Sequence, residues 1–118
     1  MSLVARKSDY FLADLDLQFH WYEAEAGWEV GWRYLLAVDH AVGTLTERPD
    51  LGRVRHFVNP ELSGLRSCPV AAPFDRHLIF YRYDSSYLDL LRVMHGARDL
   101  PRRLRQPSGA AEDDNGSE

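Results

Sequence analysis

The first half of the chain has apolar residues three or four positions apart, which is the spacing of one helix face. In the first such segment these residues are Phe11, Leu15, Phe19 and Tyr22. Ser8 or Asp9 stands before them, and either side chain can cap a helix. The pattern therefore predicts a helix that runs to about Ala26 and stops at Gly27.

A second helical stripe begins directly after this glycine. It consists of Trp28, Trp32, Leu35, Val38, Val42 and Leu45. Pro49 and Gly52 end it, so the two helices form an antiparallel hairpin that must bury its apolar side on another layer. We expect Trp28 with Trp32, and Trp21 with Tyr22, to lie in the core or between the helices; the alternative is stacking on nucleic-acid bases.

In the second half of the chain the apolar residues form short runs, which are typical of the strands of a sheet. Strands are predicted at residues 64–70, 76–83 and 87–95, and residues 3–7 suggest a further strand at an edge. A proline-containing junction and the short turn at residues 84–86 separate the strands, which should pair as hairpins. The predicted fold class is α+β, in the order β-α-α-β-β-β, with an N-terminal helical hairpin packed on a small, mostly antiparallel sheet.

Strict alternation along the last two strands places an arginine on each apolar face. These faces are formed by Leu78 and Phe80 in one strand and by Leu88, Leu90 and Met94 in the next. The arginines are Arg82 and Arg92, and burying either without a partner is costly. Each should reach the rim of the sheet or meet a carboxylate, which for Arg92 we expect to be Asp14 or Asp16 of the first helix.

Length and composition indicate one domain followed by a tail. The chain has 118 residues and no internal repeat, which fits a single domain over residues 1–105. Residues 106–118 contain no large apolar side chain and combine Pro, Gly and Ser with acids. Such a segment cannot repay the entropy of ordering, so it is predicted to be a disordered acidic tail.

Charge is distributed unevenly along the domain. Residues 1–50 carry 4 basic and 9 acidic side chains, whereas residues 51–105 carry 10 basic and 5 acidic ones. The domain is therefore neutral as a whole, but its first half is acidic and its second half is basic. Of the 14 bases, 13 are arginines. They suit phosphate or carboxylate groups, or else reflect the arginine codons of a high-GC genome.

Several classes of protein are disfavoured by composition. Cys68 is the single cysteine and is interpreted as a small buried hydrophobe, so neither a disulfide framework nor a thiolate metal cluster is expected. The five histidines lack ligand spacing. No stretch has the length of a signal peptide or of a membrane span. The sequence thus predicts a cytoplasmic protein that uses no metal or cofactor and does not contact a membrane.

Five motifs in a fixed order carry a family resemblance. They are "ADLDLQFHWYEAEAG", "LTERPDLGRVR", "LRSCPV", "PFDRHLIFYR" and "LLRVMHGARDLPRRL", and they fall between about residue 10 and residue 104. In these motifs the chain resembles the RelE/ParE family of type II toxins, which are encoded beside an antitoxin. The resemblance implies the fold already predicted, and a cognate antitoxin, acidic and helical, as the partner in a hetero-oligomer.

One branch of the family resembles RelE, which cleaves messenger RNA at the ribosome. For this activity the resemblance implies Arg66 and Arg82 as phosphate stabilisers and His95 as acid or base. The sequence lacks the lysines of this branch and its tyrosine near the C-terminus. A guanidinium does not readily act as a base, so the departure weakens the nuclease hypothesis.

The other branch resembles ParE, which poisons DNA gyrase without being a nuclease, and the ending "RVMHGARDLP" is more typical of it. Whether the protein is an enzyme depends on the branch; the ParE-like one is preferred. A third hypothesis is an inactive relative that only binds its antitoxin. The residues expected to bind a target or an antitoxin are Arg66, Arg82, Arg92, His95 and Arg98. The structural alternatives are a hydrogen-bonded strand end for His95 and a paired turn for Arg98 with Asp99.

Overall fold

A computed structural model describes residues 2–96 and 100–107 of the chain. The helices are α1 (Asp9–Ala26), α2 (Trp28–Glu47) and the short α3 (Leu100–Arg103). The strands are β1 (Val4–Lys7), β2 (Arg53–Val54), β3 (Arg66–Pro69), β4 (His77–Tyr83) and β5 (Tyr87–His95). Single 3₁₀ turns occur at Pro49–Leu51 and Pro60–Leu62.

The strands form one sheet in the order β1-β5-β4-β3-β2. β1 pairs with β5 in parallel, and the other neighbours are antiparallel. The α+β class, the helical hairpin, the mostly antiparallel sheet and the edge strand at the N-terminus are confirmed. β2 was not predicted, because a strand of two residues is too short to show alternation.

The junctions of the helical hairpin follow the capping residues. The Ser8 hydroxyl accepts a hydrogen bond from the Phe11 N–H at 3.0 Å, which satisfies one of the free donors at the start of α1. Gly27 then separates α1 from α2 with φ at 94°, a left-handed value that favours glycine. The predicted cap and the predicted stop are thus both confirmed.

The sheet has an apolar cluster on each face. The helix-side cluster contains Phe11, Tyr34, Val38, Val42 and Leu45 from the helices and Val70, Phe74, Ile79, Tyr81, Leu88, Leu90 and Val93 from the sheet and its connections. The cluster on the opposite face contains Leu62, Leu65, Phe80, Met94 and Leu104. Cys68 is only partly buried at the border of the helix-side cluster, where burial raises the pKa of its thiol.

Strict alternation assigned Met94 of β5 to the same face as Leu88 and Leu90, and this prediction is wrong. Leu90 pairs with Tyr81, but the next pair along is Phe80 with Arg92, so Leu91 is an extra residue that forms a bulge. The bulge reverses the alternation, and Met94 therefore belongs to the cluster opposite the one that holds Leu88 and Leu90. The expected sharing of a face by Leu78 and Phe80 in β4 is confirmed.

The tryptophans were predicted to lie in the core or between the helices, and a core position is wrong for all three, whereas Tyr22 packs against the helix-side cluster. Trp21, Trp28 and Trp32 are 56%, 64% and 52% exposed. The hairpin instead closes on Gly31, where an added Cβ would lie 3.0 Å from the Phe19 ring. On α2, Tyr34 is fully buried in the helix-side cluster, whereas Trp28 and Trp32 are exposed.

The buried arginine of β5 has the partner that was expected. Arg92 is 3% exposed, and its Nε and Nη2 donate to the two carboxylate oxygens of Asp14, each at 2.8 Å. Asp14 also accepts from the Val93 N–H at 3.1 Å. Arg92 Nη1 donates to the carbonyls of Arg103, Leu104 and Gln106, so one side chain joins α1, β5 and the segment after α3.

The helices α1 and α2 carry eight acidic side chains and one basic one, whereas the five strands carry six basic side chains and one acidic one. Among the described residues, no helix has the length and apolar character needed to cross a membrane.

Candidate functional site

Arg66 lies on β3 opposite Tyr81, on the helix side of the sheet. Its Nη1 donates to the carbonyl of Gly52 at 2.9 Å and to that of Asp50 at 3.2 Å. The guanidinium also sits 5.5 Å from the ring centroid of Tyr83. Arg66 therefore fixes the segment that leads from α2 into β2.

Arg82 follows Tyr81 in β4, so its side chain points to the other face of the sheet. Its Nε donates to the Ser63 carbonyl at 2.9 Å, and its Nη2 donates to the carbonyl of Glu61. Arg82 thus holds the loop before β3 against the sheet, and it does not share a surface with Arg66.

His95 ends β5 at the far end of the sheet, paired with His77. His77 and Arg82 are five positions apart in β4, which corresponds to about 17 Å along the strand. His95 is exposed, and its Nδ1 lies 3.1 Å from the Gly96 carbonyl oxygen. The three residues expected to form a ribonuclease centre are therefore not brought together. Arg98, with its neighbour Asp99, lies outside the described residues.

A cavity of about 390 Å³ opens at the His95 end of the sheet, between α1, the start of β4, the end of β5 and the segment after α3. Its apolar lining comprises Leu17, Trp21, Tyr22, Pro73, Met94 and Pro107. Its polar lining comprises Asp14, Gln18, Asp75, Arg76, His77, Arg92, His95 and Arg103. The volume is that of a small binding pocket, and its lining combines six apolar residues with eight polar ones.

The floor of this cavity contains a buried imidazole. His77 is 8% exposed, and its Nε2 lies 2.9 Å from the Tyr22 hydroxyl. Burial, and then the neighbouring His95 at 5.7 Å between ring centroids, lowers the pKa of His77 to about 4. Burial also raises the pKa of Tyr22, so both groups are neutral near pH 7. Among the described residues, His77 Nδ1 has no hydrogen-bond partner.

The walls of the cavity are held by three further hydrogen bonds. The Gln18 amide donates to the Val93 carbonyl at 2.8 Å, and Gln18 accepts from the buried Tyr34 hydroxyl. Arg103 Nη1 donates to the His95 carbonyl at 3.1 Å, which draws the C-terminal segment onto the end of β5. The cavity is therefore shaped by side chains that are already fixed.

The cationic groups at this cavity differ in what they contact. The Arg92 charge is matched by Asp14 inside the protein. Arg76 and His95 are exposed at the opening, and Arg103 is half-buried there. Asp75 is the remaining carboxylate of the lining. The opening therefore has two arginines, Arg76 and Arg103, against one carboxylate, that of Asp75.

The sequence alone identified His95 and Arg92 in this region but not Trp21, Gln18 or His77 as parts of a site. Extending the register from the turn at residues 84–86 would have paired His77 with Met94. The bulge at Leu91 shifts that pairing by one residue and places His77 beside His95. A sequence offers no clear signal for such a bulge.

Solved structures share this arrangement of helices and sheet. One is from the chromosomal ParDE toxin–antitoxin system of P. aeruginosa: it is 18% identical, covers 81% of this chain and 98% of that chain, and has a TM-score of 0.66. Another, from the RelBE2 toxin–antitoxin complex of Mycobacterium tuberculosis, is 20% identical, covers 81% of this chain and 100% of that chain, and has a TM-score of 0.54. At these identities the likeness shows the fold alone.

A family model described as the ParE toxin of the type II toxin-antitoxin system, parDE, matches residues 6–100. The chain belongs to this family, and the resemblance to RelE/ParE toxins seen in the sequence is thereby confirmed. No curated protein sequence matches the chain.

Proposed function

We propose that this type II toxin arrests bacterial growth by poisoning DNA gyrase and that a cognate antitoxin neutralises it. The observation that carries the choice of target is the separation of Arg66, Arg82 and His95. Two of them lie on opposite faces of the sheet, and the third is at its far end. A gyrase poison needs a surface that binds a protein partner, and it does not need a group of catalytic residues.

The chemistry of RNA cleavage requires the opposite arrangement. A proton acceptor, a proton donor and a cation beside the phosphorane must converge within hydrogen-bond reach of one phosphate. Here the guanidinium groups of Arg66 and Arg82 donate to backbone carbonyls of adjacent loops. Both side chains are thereby explained by loop structure, which supports the interpretation that they do not act on a phosphodiester.

The match to the ParE family model supports the same branch. The uneven charge of the molecule also fits a protein target, because a basic sheet and acidic helices give a dipolar surface rather than a uniformly basic one. The surface of the toxin that would contact gyrase is expected to include the exposed His95.

The target can be tested with purified toxin and two assays run in parallel. We expect the toxin to inhibit supercoiling by purified gyrase and to trap cleaved DNA, while a cell-free translation extract continues to make protein. The matched control is the toxin preincubated with its antitoxin, which should restore supercoiling. Translation arrest with message cleavage only when ribosomes are present would overturn the proposal in favour of a RelE-like ribonuclease.

Expression in cells separates an active toxin from an inactive relative. Induction of the toxin alone should stop growth and produce filamentous cells with DNA breaks, and co-expression of the antitoxin should restore growth. Unaffected growth at confirmed soluble expression would show that only antitoxin binding is retained. Arg66→Ala and Arg82→Ala variants that remain folded should still inhibit gyrase, since both guanidinium groups are engaged with backbone carbonyls of adjacent loops.

A further inference from the structure

One wall of the cavity at the His95 end is a continuous row of four rings. Trp21 lies edge-on to Tyr22, with 5.1 Å between the ring centroids. The His77 ring lies 5.7 Å from that of Tyr22 on one side and 5.7 Å from that of His95 on the other. All four side chains line the cavity. Such a row favours a flat aromatic ligand, because a ring can stack on one member and meet the next edge-on.

The charged side chains of the lining leave one positive charge in excess. They are three arginines, Arg76, Arg92 and Arg103, and two aspartates, Asp14 and Asp75. Arg92 and Asp14 neutralise each other in a buried ion pair. The carboxylate of Asp75 therefore stands against two guanidinium groups, those of Arg76 and Arg103. A ligand with a single negative charge complements this lining.

Two polar atoms of the lining residues are buried and have no hydrogen-bond partner among the described residues. They are His77 Nδ1 and Arg103 Nε, and the His77 side chain lies in a residue that is only 8% exposed. Unpaired buried polar atoms are unfavourable and uncommon, and a bound ligand is one way of pairing them. The Arg103 Nε carries a hydrogen at all physiological pH values, so its natural partner is an oxygen acceptor such as a carboxylate.

We propose that the cavity is a binding site for a small aromatic carboxylate. The aromatic body of the ligand lies against the row of four rings, and its carboxylate meets the guanidinium groups of Arg76 and Arg103. The volume of about 390 Å³ is at the lower end of ligand pockets, so it suits an acid of one or two rings rather than a nucleotide or a lipid chain. This inference does not depend on gyrase as the target of the toxin.

The test titrates the purified full-length toxin with indole-3-acetate and with benzoate, which join two rings or one ring to a single carboxylate. Calorimetry should show a single site per chain with a dissociation constant on the order of 0.1 mM for the better probe, as expected of a ligand of this size. Tryptamine is the matched control, because it has the indole ring with an ammonium group in place of the carboxylate. It should bind at least about tenfold more weakly, since Arg76 and Arg103 repel its charge. Absence of saturable binding by both acids, or equal affinity for indole-3-acetate and tryptamine, would overturn the proposal.

Variants of exposed residues then locate the bound acid. Arg76→Glu should weaken binding of indole-3-acetate by about tenfold at low salt, and the loss should shrink as salt is raised. Its control is Arg33→Glu, because Arg33 is exposed on α2 and does not line the cavity, so affinity should stay within about twofold.

The ring wall is tested in the same way with two exposed tryptophans. Trp21→Ala should weaken binding by about tenfold through the loss of one ring of the wall. Trp32→Ala is the control, since Trp32 is 52% exposed on α2 and does not line the cavity. Unchanged affinity in both Arg76→Glu and Trp21→Ala would overturn the proposal. A loss confined to Trp32→Ala would also overturn it, because the acid would then lie on the outer side of α2.

Discussion

The two ends of the sheet use arginine in different ways. At the turn end, defined by Arg66 and Arg82, the guanidinium groups donate to carbonyls of neighbouring loops. At the cavity end, defined by His77 and His95, Arg92 is bound to Asp14, while Arg76 remains exposed beside an apolar pocket. An arginine next to a sheet can thus stabilise a neighbouring loop or remain exposed for binding, and its hydrogen-bond partners distinguish the two cases.

The largest loss of stability is expected from breaking the buried ion pair between Asp14 and Arg92 at the cavity end. Asp14→Ala would leave the buried guanidinium of Arg92 and the Val93 N–H without their carboxylate, at a cost of about 3–5 kcal/mol in the free energy of unfolding. The measurement is urea denaturation of the two proteins. Asp16→Ala is the matched control on the same helix, because Asp16 is exposed and should change stability by less than about 0.5 kcal/mol. Equal effects of the two substitutions would refute the assigned role of the pair.

The second prediction concerns the pH dependence of stability caused by His77, the buried imidazole of the cavity floor. Its pKa of about 4 in the folded protein lies below the ordinary value of 6.5, so the unfolded chain binds the proton more readily. Stability should therefore be fully present above about pH 6.5 and fall as the pH drops towards 4, by up to about 3 kcal/mol.

The measurement for this pH dependence is denaturation at several pH values in wild-type protein and in His77→Gln. The variant should lose most of the slope between pH 6.5 and 4, the range in which the folded and unfolded states of His77 differ in protonation. His40→Gln is the control, because His40 is exposed on α2 and should leave the slope unchanged. A slope that persists in His77→Gln would mean that another group is responsible.

A third prediction tests how tightly the turn end is packed. A Cβ at Gly52 would lie 2.2 Å from the Tyr81 hydroxyl, which accepts from the Gly52 N–H and donates to the Pro49 carbonyl. Gly52→Ala should therefore destabilise the fold by about 1–3 kcal/mol in thermal unfolding. At Gly43, within α2, a Cβ would meet nothing within 4 Å, so Gly43→Ala should be neutral or stabilising. Destabilisation by both substitutions to the same degree would contradict the packing described.

The smallest loss of stability is expected from removing Arg82, which holds the loop before β3 against the sheet. Arg82→Ala removes two donors to the carbonyls of Glu61 and Ser63, both at the surface, and should cost about 1 kcal/mol. Exchange of the amides in the loop before β3 should quicken more than exchange in β5, as measured by hydrogen–deuterium exchange. Arg33→Ala on the exposed side of α2 is the control and should alter neither region. A uniform change across the sheet would argue against a local brace.

The parts of the fold that could be predicted are those fixed by local chemistry. Ser8 and Gly27 define the ends of α1 through capping and a left-handed φ, and the periodic residues between them define its length. The partner of Arg92 was predictable because a buried guanidinium requires a carboxylate, and α1 supplies one.

The parts that could not be predicted depend on close contacts between distant segments. On α2, Tyr34 is buried and Trp28 and Trp32 are exposed, although all three lie on neighbouring sides of the helix, and periodicity alone does not separate these sides. The bulge at Leu91 depends on how β5 pairs with β4. The cavity likewise depends on contacts between distant parts of the chain, because four separate segments line it.

The pairing of β1 with β5 has a consequence for the synthesis of the protein. The first strand to leave the ribosome finds its hydrogen-bonding neighbour only when residues 87–90 have been made. The Asp14 carboxylate likewise waits for Arg92. A partly translated chain therefore has neither a closed core nor a finished surface, and the toxin becomes competent only near the end of its own translation.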